Sequence, residues 1–209
     1  MRWLMLTILG LALTGAARAQ DIVDVLRHSQ QQRLESFQAA PDGPRAEVVR
    51  RSFELLRKGL PADVAVDLFV IAGPVTAETV HGHIVVANQA LADLPEGERL
   101  FVLAHELGHV VNHHWLQMGQ LFKRWVPDEV TPDRTDPVSA QLGREASGLA
   151  HQQEFEADHY ALQTLRAMGR PPEDAFAAFM HLGMTFDTAT HPGTRKRVAS
   201  LRAAQAGEN

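Results

Sequence analysis

The chain of 209 residues contains no cysteine. This absence excludes disulfide bonds, thiolate ligands for zinc and a cysteine nucleophile for proteolysis. It also excludes attachment of a lipid through an N-terminal cysteine. Any chemistry that this chain performs must therefore use other side chains.

Long apolar runs are also missing. The apolar stretch from Leu4 to Leu13 follows Met1-Arg2-Trp3 and is too short to span a bilayer as a helix, which takes about 20 residues. Together with Ala17-Arg18-Ala19, it is typical of a secretory signal peptide that is cleaved after Ala19. We therefore expect residues 1–19 to be a signal peptide and the product to be periplasmic. The alternative is an uncleaved N-terminus that anchors the protein in the membrane.

The chain has fewer basic than acidic residues. It contains 20 Lys and Arg residues and 25 Asp and Glu residues, so the formal net charge is −5. No basic cluster stands out beyond Arg195-Lys196-Arg197, so we expect no nucleic-acid partner. The partners that we expect are polypeptide substrates, and peripheral contact with a membrane or with envelope assembly proteins is left open. The sequence does not determine the oligomeric state.

The most informative motif is His105-Glu106-Leu107-Gly108-His109. Residues four apart on a helix lie on the same face, so both imidazoles can face one metal ion. The glutamate beside the first imidazole can then act as a general base on water, as in zinc proteases. The alternative is an ordinary surface helix that carries the pattern by accident. The apolar residues from Leu100 to Ala104 argue against it, because they indicate a buried helix whose polar side chains need partners.

A third ligand is expected, because a catalytic zinc usually has three protein ligands and one open position. The candidates lie in Glu154-Phe155-Glu156-Ala157-Asp158. Helical spacing puts Glu154 and Asp158 on a face that continues apolar, and Glu156 on the opposite, polar face. We therefore expect Glu154 to be the third ligand and Asp158 to accept a hydrogen bond from a ligand histidine. For two carboxylates on a more polar helix, a solvated pair would be the usual interpretation.

The remaining pattern predicts an α+β fold that is mainly helical, with a small, mostly antiparallel sheet next to the active-site helix. We expect strands at 64–71, 76–80 and 84–87. We expect helices at 21–40, 45–58, 96–125, 138–168, 173–182 and 194–204. Residues 126–137, rich in proline and acidic side chains, predict either a lid over the site or a solvated connection. Residues 20–209 would form one domain, with N-terminal helices at 20–60 and a catalytic core at 61–209.

Three motifs in this order resemble the gluzincin metallopeptidases. They are His105-Glu106-Leu107-Gly108-His109, Glu154-Phe155-Glu156-Ala157-Asp158, and His191-Pro192 followed by Arg197. The family concerned contains the CAAX prenyl protease, HtpX, the mitochondrial Oma-type proteases and the BepA-like periplasmic proteases. The similarity runs from about residue 64 to about residue 201, and it implies a zincin-like metalloprotease domain.

The resemblance also implies a cofactor and a set of roles. One Zn²⁺ ion per chain is expected, with His105, His109 and Glu154 as its ligands and Glu106 as the general base. Asp158 matches the aspartate of the family's Glu-x-x-x-Asp motif.

His191 and Arg197 match a histidine and an arginine that lie near the metal in relatives. Either side chain could stabilise the oxyanion that forms during peptide hydrolysis. In some periplasmic relatives the histidine can approach the zinc and hold the enzyme latent, so both roles stay open for His191.

The function expected from these features is that of a zinc-dependent endopeptidase in the bacterial cell envelope, active on unfolded or misassembled exported proteins. Pairing of an extended substrate with a sheet edge, here residues 76–80, depends little on side-chain identity. The rival hypothesis is a latent or inactive metallopeptidase fold that serves as a chaperone or adaptor. Glu106 favours the enzyme, because a pure binding protein has no need of a base at that position.

Overall fold

The computed structural model describes residues 20–207, so the predicted signal peptide at 1–19 lies outside the described residues. Helices dominate, and a four-stranded sheet accompanies them. This confirms the predicted α+β class with a mainly helical content. Within residues 20–207, no helix combines the length and the apolar character that a membrane crossing requires.

Eight α-helices and one 3₁₀ helix (Gln89–Asp93) carry most of the described chain. The α-helices are α1 (Ile22–Glu35), α2 (Pro44–Arg57), α3 (Glu96–Val111), α4 (His114–Trp125), α5 (Pro132–Thr135), α6 (Ser139–Ala167), α7 (Glu173–Leu182) and α8 (Thr194–Gly207). The predicted ends of α2, α6 and α7 agree with these bounds to within one residue.

The sheet has the strand order β1-β2-β4-β3. Its strands are β1 (Gln38–Ala39), β2 (Asp67–Ala72), β3 (Ala77–Val80) and β4 (Ile84–Asn88). Two of the three pairings are antiparallel, as predicted, whereas the central pair β2 and β4 runs parallel. This arrangement leaves β3 as an edge strand, and β3 lies against α3.

Helix α3 lies in the middle of the main core. Its leucines Leu100, Leu103 and Leu107 are buried, and α2, α6 and α7 pack around the helix. Each such leucine contributes about 1.5–3 kcal/mol when it is fully buried. The motif of two histidines and a glutamate is therefore held on one of the most tightly packed elements of the fold.

The prediction of one helix over 96–125 is wrong, because the structure divides this segment into α3 and α4. Asn112 ends α3, and His113 has a left-handed backbone with φ of 54° before α4 begins at His114. No glycine or proline marks the break, although a left-handed backbone is unfavourable for a residue with a Cβ atom. The turn brings the His114 ring beside that of His109.

The N-terminal segment, whose docking partner the sequence left open, packs on the rest of the described chain. Arg33 on α1 donates two hydrogen bonds of 2.9 and 2.7 Å to Glu78 on β3, and Asp21 pairs with Lys123 on α4. The predicted helix over 21–40 is too long, because α1 ends at Glu35 and the chain then pairs as β1 with β2. The backbone hydrogen bonds of that strand pair replace those of a further helical turn.

Residues 126–137 connect α4 to α6. Val126 is buried in a small apolar cluster with α1 and α6, and the Val130 N–H donates to the carbonyl of Gln20 at 3.0 Å. No residue of this segment is among those that line the cleft described below. Of the two alternatives, the structure supports a connection and not a lid.

Candidate metal centre

The two motif histidines lie one helical turn apart on α3, and their rings meet. The Nε2 atoms of His105 and His109 are 3.2 Å apart, and the ring planes cross at 81°. The lone pairs of these two nitrogens therefore converge on one point. His105 is buried and His109 is partly buried, so water does not freely solvate that point.

Helix α6 brings Glu154 to the same point. Its carboxylate oxygens lie 3.5 Å from Nε2 of His105 and 3.4 Å from Nε2 of His109. One ligand atom from each of these three residues lies within 4.8 Å of the other two. Oε2 of Glu154 is buried without a hydrogen-bond partner, although Nη1 of Arg197 is 3.2 Å away. A cation at the convergence point would satisfy that oxygen.

The donor set fits a zinc ion. Zinc binds imidazole nitrogen and carboxylate oxygen at about 2.0–2.2 Å, and tetrahedral geometry then separates neighbouring ligand atoms by about 3.3 Å. The two Nε2 atoms are 3.2 Å apart, Oε2 of Glu154 is 3.5 Å from Nε2 of His105, and Oε1 of Glu154 is 3.4 Å from Nε2 of His109. Three protein ligands without a thiolate are typical of a catalytic zinc site, whose fourth position stays open.

Asp158 lies one turn beyond Glu154 on α6 and is fully buried. Its Oδ1 atom is 3.0 Å from Nδ1 of His105, so Nδ1 carries a proton and Nε2 is directed at the metal position. Burial opposes a charge on His105, but hydrogen bonds to Asp158 and Glu154 outweigh burial and raise the pKa of His105 to about 10. Burial also opposes the Asp158 carboxylate, but hydrogen bonds from Arg197 and His105 lower its pKa.

Arg197, on α8, connects the two buried carboxylates. Its Nε atom donates to Oδ2 of Asp158 at 2.8 Å, Nη2 donates to Oδ1, and Nη1 lies 3.2 Å from Oε2 of Glu154. The guanidinium carbon also sits 5.0 Å from the ring centre of Phe179. The side chain is only 17% exposed. In this arrangement Arg197 holds the carboxylates in place, and its donors face them.

Glu106 is fixed by the edge strand. The hydroxyl oxygen of Thr79 lies 2.9 Å from Oε2 of Glu106 and 2.9 Å from the Glu106 backbone carbonyl. The hydroxyl can both donate and accept a hydrogen bond. When Glu106 is a carboxylate, the hydroxyl can donate to it. When Glu106 is protonated, the hydroxyl can accept from the carboxylic acid and donate to the backbone carbonyl. Thr79 can therefore keep a hydrogen bond to the Glu106 side chain before and after that side chain takes up a proton. Thr79 could not be identified from the sequence, because nothing in the β3 pattern distinguishes it from its neighbours.

His191 lies at the outer side of this group. Its Nε2 atom is 3.5 Å from Oε1 of Glu154, and its side chain is 61% exposed. Nδ1 of the same ring is 2.8 Å from the hydroxyl oxygen of Thr190. Among residues 20–207, the group whose ligand atoms all lie within 4.8 Å of one another does not include His191.

Two residues to which sequence analysis gave no role also reach the site. Nδ1 of His114 is 2.9 Å from Nδ1 of His109, and Nε2 of His114 is 3.1 Å from Oε2 of Glu156. Burial of His114 and its proximity to His109 lower the pKa of His114 to about 4. The signal for His114 in the sequence is weak, because on an unbroken helix a residue five positions after His109 points away from it.

A cleft of about 690 Å³ opens over the group. Residues 76–79, most of them in β3, line this cleft, and so do Trp115, Met118 and Phe122 of α4. His105, Glu106 and Glu154 lie among the lining residues. Pockets that enclose ligands have volumes of about 300–1,000 Å³, so the cleft can hold several residues of an extended chain.

Residues 75–126 match the model of peptidase family M48. This segment of the chain is therefore similar to the metallopeptidases of that family. The M48 match covers β3, β4, α3 and α4, and so includes both motif histidines and Glu106. It ends before α6, so the carboxylate that meets the two histidines comes from a part of the chain beyond the match.

One solved structure that the chain matches is the crystal structure of Ste24p from S. mikatae. The match has 18% sequence identity and a TM-score of 0.48, and it covers 86% of this chain. The chain covers 56% of the Ste24p chain. Comparison with curated proteins gives no match.

Proposed function

We propose that this metallopeptidase is a zinc-dependent endopeptidase that cleaves unfolded or misassembled exported proteins in the bacterial cell envelope. One observation carries the proposal. The ligand atoms of His105, His109 and Glu154 lie within 4.8 Å of one another, and these residues line the same cleft as Glu106. A metal site that only stabilises the fold needs neither a neighbouring carboxylate outside the ligand set nor an open groove.

His105, His109 and Glu154 would hold one zinc ion. When it is bound, zinc acts as a Lewis acid that polarises the scissile carbonyl and lowers the pKa of water toward neutrality. The protein supports this chemistry from outside the ligand set. Asp158 fixes the tautomer of His105, and Arg197 contacts the carboxylates of Asp158 and Glu154 and holds them in place.

Glu106 would move the proton. Its carboxylate takes a proton from the attacking water at one oxygen and later delivers that proton to the nitrogen of the departing amine. Thr79 stabilises both states, because its hydroxyl can donate to the carboxylate and can accept from the acid. The same hydroxyl keeps the Glu106 side chain from rotating away from the metal position.

The free edge of β3 would bind the substrate backbone. The Asn88 N–H donates to the Thr76 carbonyl, so Thr76 and, two residues on, Glu78 face β4 in the ladder. The N–H and C=O groups of Ala77 and Thr79 therefore point away from the sheet, toward the cleft that residues 76–79 line. An extended peptide can pair with them through its backbone, which selects for unfolded chains and not for a particular sequence.

His191 is the better placed of the two candidate oxyanion donors. Its ring is exposed on the cleft side of Glu154, whereas the donors of Arg197 already bond Asp158 and face Glu154. We assign the oxyanion role to His191 and a role in holding the carboxylates to Arg197.

The location in the envelope rests on the N-terminal sequence. Residues 1–19 have the composition of a cleaved signal peptide, which would deliver residues 20–209 to the periplasm. An uncleaved segment would instead anchor the same domain to the membrane. Mass spectrometry of the mature N-terminus distinguishes these two cases.

A second function is favoured by the position of His191. With Nε2 at 3.5 Å from Oε1 of Glu154, a small movement would bring the ring to the open position of the metal. The protein would then be latent and would act as a chaperone or adaptor that holds envelope proteins without cleaving them. His191→Ala discriminates between the two functions, because it raises proteolysis if the ring blocks the metal and lowers it if the ring binds the oxyanion.

The experiment that tests the proposal measures zinc content and cleavage of unfolded casein together. We expect about one zinc per chain, cleavage at internal bonds, loss of cleavage with a chelator and recovery with zinc. Glu106→Gln should retain the zinc and lower the rate by roughly 10²–10⁴, the usual contribution of a general base. Zinc-loaded protein that never cleaves, even as His191→Ala, would refute the endopeptidase and leave the binding function.

A further inference from the structure

A chain of hydrogen bonds runs from His109 to the protein surface. Nδ1 of His109 lies 2.9 Å from Nδ1 of His114, and Nε2 of His114 lies 3.1 Å from Oε2 of Glu156. His114 is 3% exposed, whereas the Glu156 side chain is 40% exposed. The buried ring thus connects the second motif histidine to a carboxylate that touches water.

The proton positions along this chain follow from the metal site. If His109 binds a metal through Nε2, its Nδ1 atom must carry the ring proton, and a buried N–H needs an acceptor. The neighbouring acceptor is Nδ1 of His114, which must then be unprotonated, so the His114 proton lies on Nε2. That N–H donates to Glu156, and each ring is held in one tautomer.

The surrounding residues hold His114 in this position. The left-handed residue His113 turns the chain immediately before it. The side-chain amide of Gln153 on α6 donates to the backbone carbonyl of His114 at 3.1 Å, and the amide of Gln152 donates to Oε1 of Glu156 at 2.7 Å. Contacts from α6, together with the backbone turn at His113, therefore hold the backbone of His114 and the carboxylate that its ring bonds.

We propose that His114 and Glu156 position His109 for zinc, as Asp158 positions His105. The proposal rests on the zinc endopeptidase function proposed above. It gives the two histidine ligands different support, since His105 contacts a buried carboxylate directly and His109 reaches an exposed carboxylate through a second imidazole. His114 and Glu156 are positioning residues, because neither side chain reaches the reacting atoms.

The test compares the zinc affinity of the native protein with those of two His114 variants. Removing a group that orients a metal ligand typically lowers metal affinity by about 10- to 100-fold, and we expect a loss of this size for His114→Leu. His114→Asn offers an amide oxygen near the position of Nδ1, so it can still accept from His109 and should recover most of the affinity. The absorption spectrum of the cobalt(II) form should change in His114→Leu and return toward native in His114→Asn.

Glu156 provides a second variant that is safer for folding, because its side chain is partly exposed. Glu156→Ala should weaken zinc binding by less than His114→Leu, since water can replace an exposed acceptor. Glu156→Gln keeps an acceptor oxygen for His114 and should bind zinc nearly as the native protein does. Glu145→Ala is the matched control, because Glu145 lies on the same helix, is similarly exposed and bonds Gln141 and Trp125 instead of an imidazole.

The outcomes separate the failure of this inference from the failure of the proposed function. Native protein without affinity for zinc would refute the function and the inference together. Native protein that binds zinc, with equal affinity in a folded His114→Leu, would refute the positioning role alone. Equal losses in His114→Leu and His114→Asn would also refute it, because packing and not the acceptor would then be responsible. If His114→Leu does not fold, the other variants still test the inference. An unchanged zinc affinity in Glu156→Ala refutes the positioning role of Glu156. A large loss of zinc affinity in folded His114→Asn refutes the role of His114 as the acceptor for His109.

Discussion

Gly108 of α3 lies directly against Ala157 of α6, at the point where the two helices carry the candidate metal ligands. A Cβ atom at position 108 would lie 2.9 Å from the Cα atom and 3.2 Å from the carbonyl oxygen of Ala157. Both are backbone atoms of a helix, so they cannot move aside as a flexible side chain can. The absence of a side chain at Gly108 therefore sets the distance between His109 and Glu154.

Gly108→Ala should consequently lower zinc affinity. A glycine inside a helix normally costs about 1 kcal/mol relative to alanine, so a stabilising effect would be expected if space allowed. Here α3 and α6 must separate by several tenths of an ångström, which spreads the ligand set. The matched control is Gly148→Ala on α6, where a Cβ meets no atom within 4 Å. It should raise the melting temperature and leave zinc affinity unchanged, and a similar response in both variants would argue against the packing account.

Thr79→Val should reduce kcat without removing zinc. The substitution keeps the shape of the side chain and the strand backbone but deletes the hydroxyl that bonds Glu106. Hydrogen bonds to charged groups contribute about 1.5–3 kcal/mol, which corresponds to a decrease of roughly 10- to 100-fold in kcat. Thr79→Ser retains the hydroxyl and should stay close to native. Equal kcat values for the Val and native enzymes would show that Thr79 does not position the base.

Glu154→Gln should release zinc far more readily than Glu156→Gln. Both substitutions remove one negative charge from α6, but only Glu154 faces the two ring nitrogens. An amide is a poor ligand for zinc, whereas it can replace Glu156 as an acceptor for His114. The measurement is the rate of zinc transfer to a chromogenic chelator at neutral pH. Similar rates for the two variants would contradict the assignment of ligands by helix face.

The metal-free protein should lose stability as the pH rises above neutrality. Hydrogen bonds to Asp158 and Glu154 overcome the effect of burial and raise the pKa of His105 from 6.5 to about 10. A raised pKa contributes stability that is complete below the unfolded value, so this contribution should disappear between about pH 6.5 and about pH 10. Urea unfolding with a chelator present measures it, as the difference in unfolding free energy between native protein and His105→Gln. A difference that stays constant across this window would contradict the prediction.

Periodicity was sufficient to predict how the carboxylates divide on α6. Glu154 and Asp158 are buried and face α3, and Glu156 lies on a more exposed side, as a repeat of 3.6 residues requires. The long apolar run likewise predicted that α3 is buried. These features depend on one helix at a time, which is why sequence alone could identify them.

Features that depend on two segments could not be predicted in this way. The break at His113, where φ is 54°, has no glycine or proline to mark it. Because this break was not predicted, neither the contact between His114 and His109 nor the hydrogen bond between His114 and Glu156 could be predicted. The parallel pairing of β2 with β4 was missed for a similar reason, because alternation along a strand does not specify its neighbour.

Anomalous diffraction on both sides of the zinc absorption edge tests the central claim most directly, on crystals of protein purified without added metal or chelator. The account predicts one zinc peak per chain, at about 2.0–2.2 Å from Nε2 of His105, Nε2 of His109 and a carboxylate oxygen of Glu154. The absence of a peak at this point, or a zinc held by other residues, would contradict it.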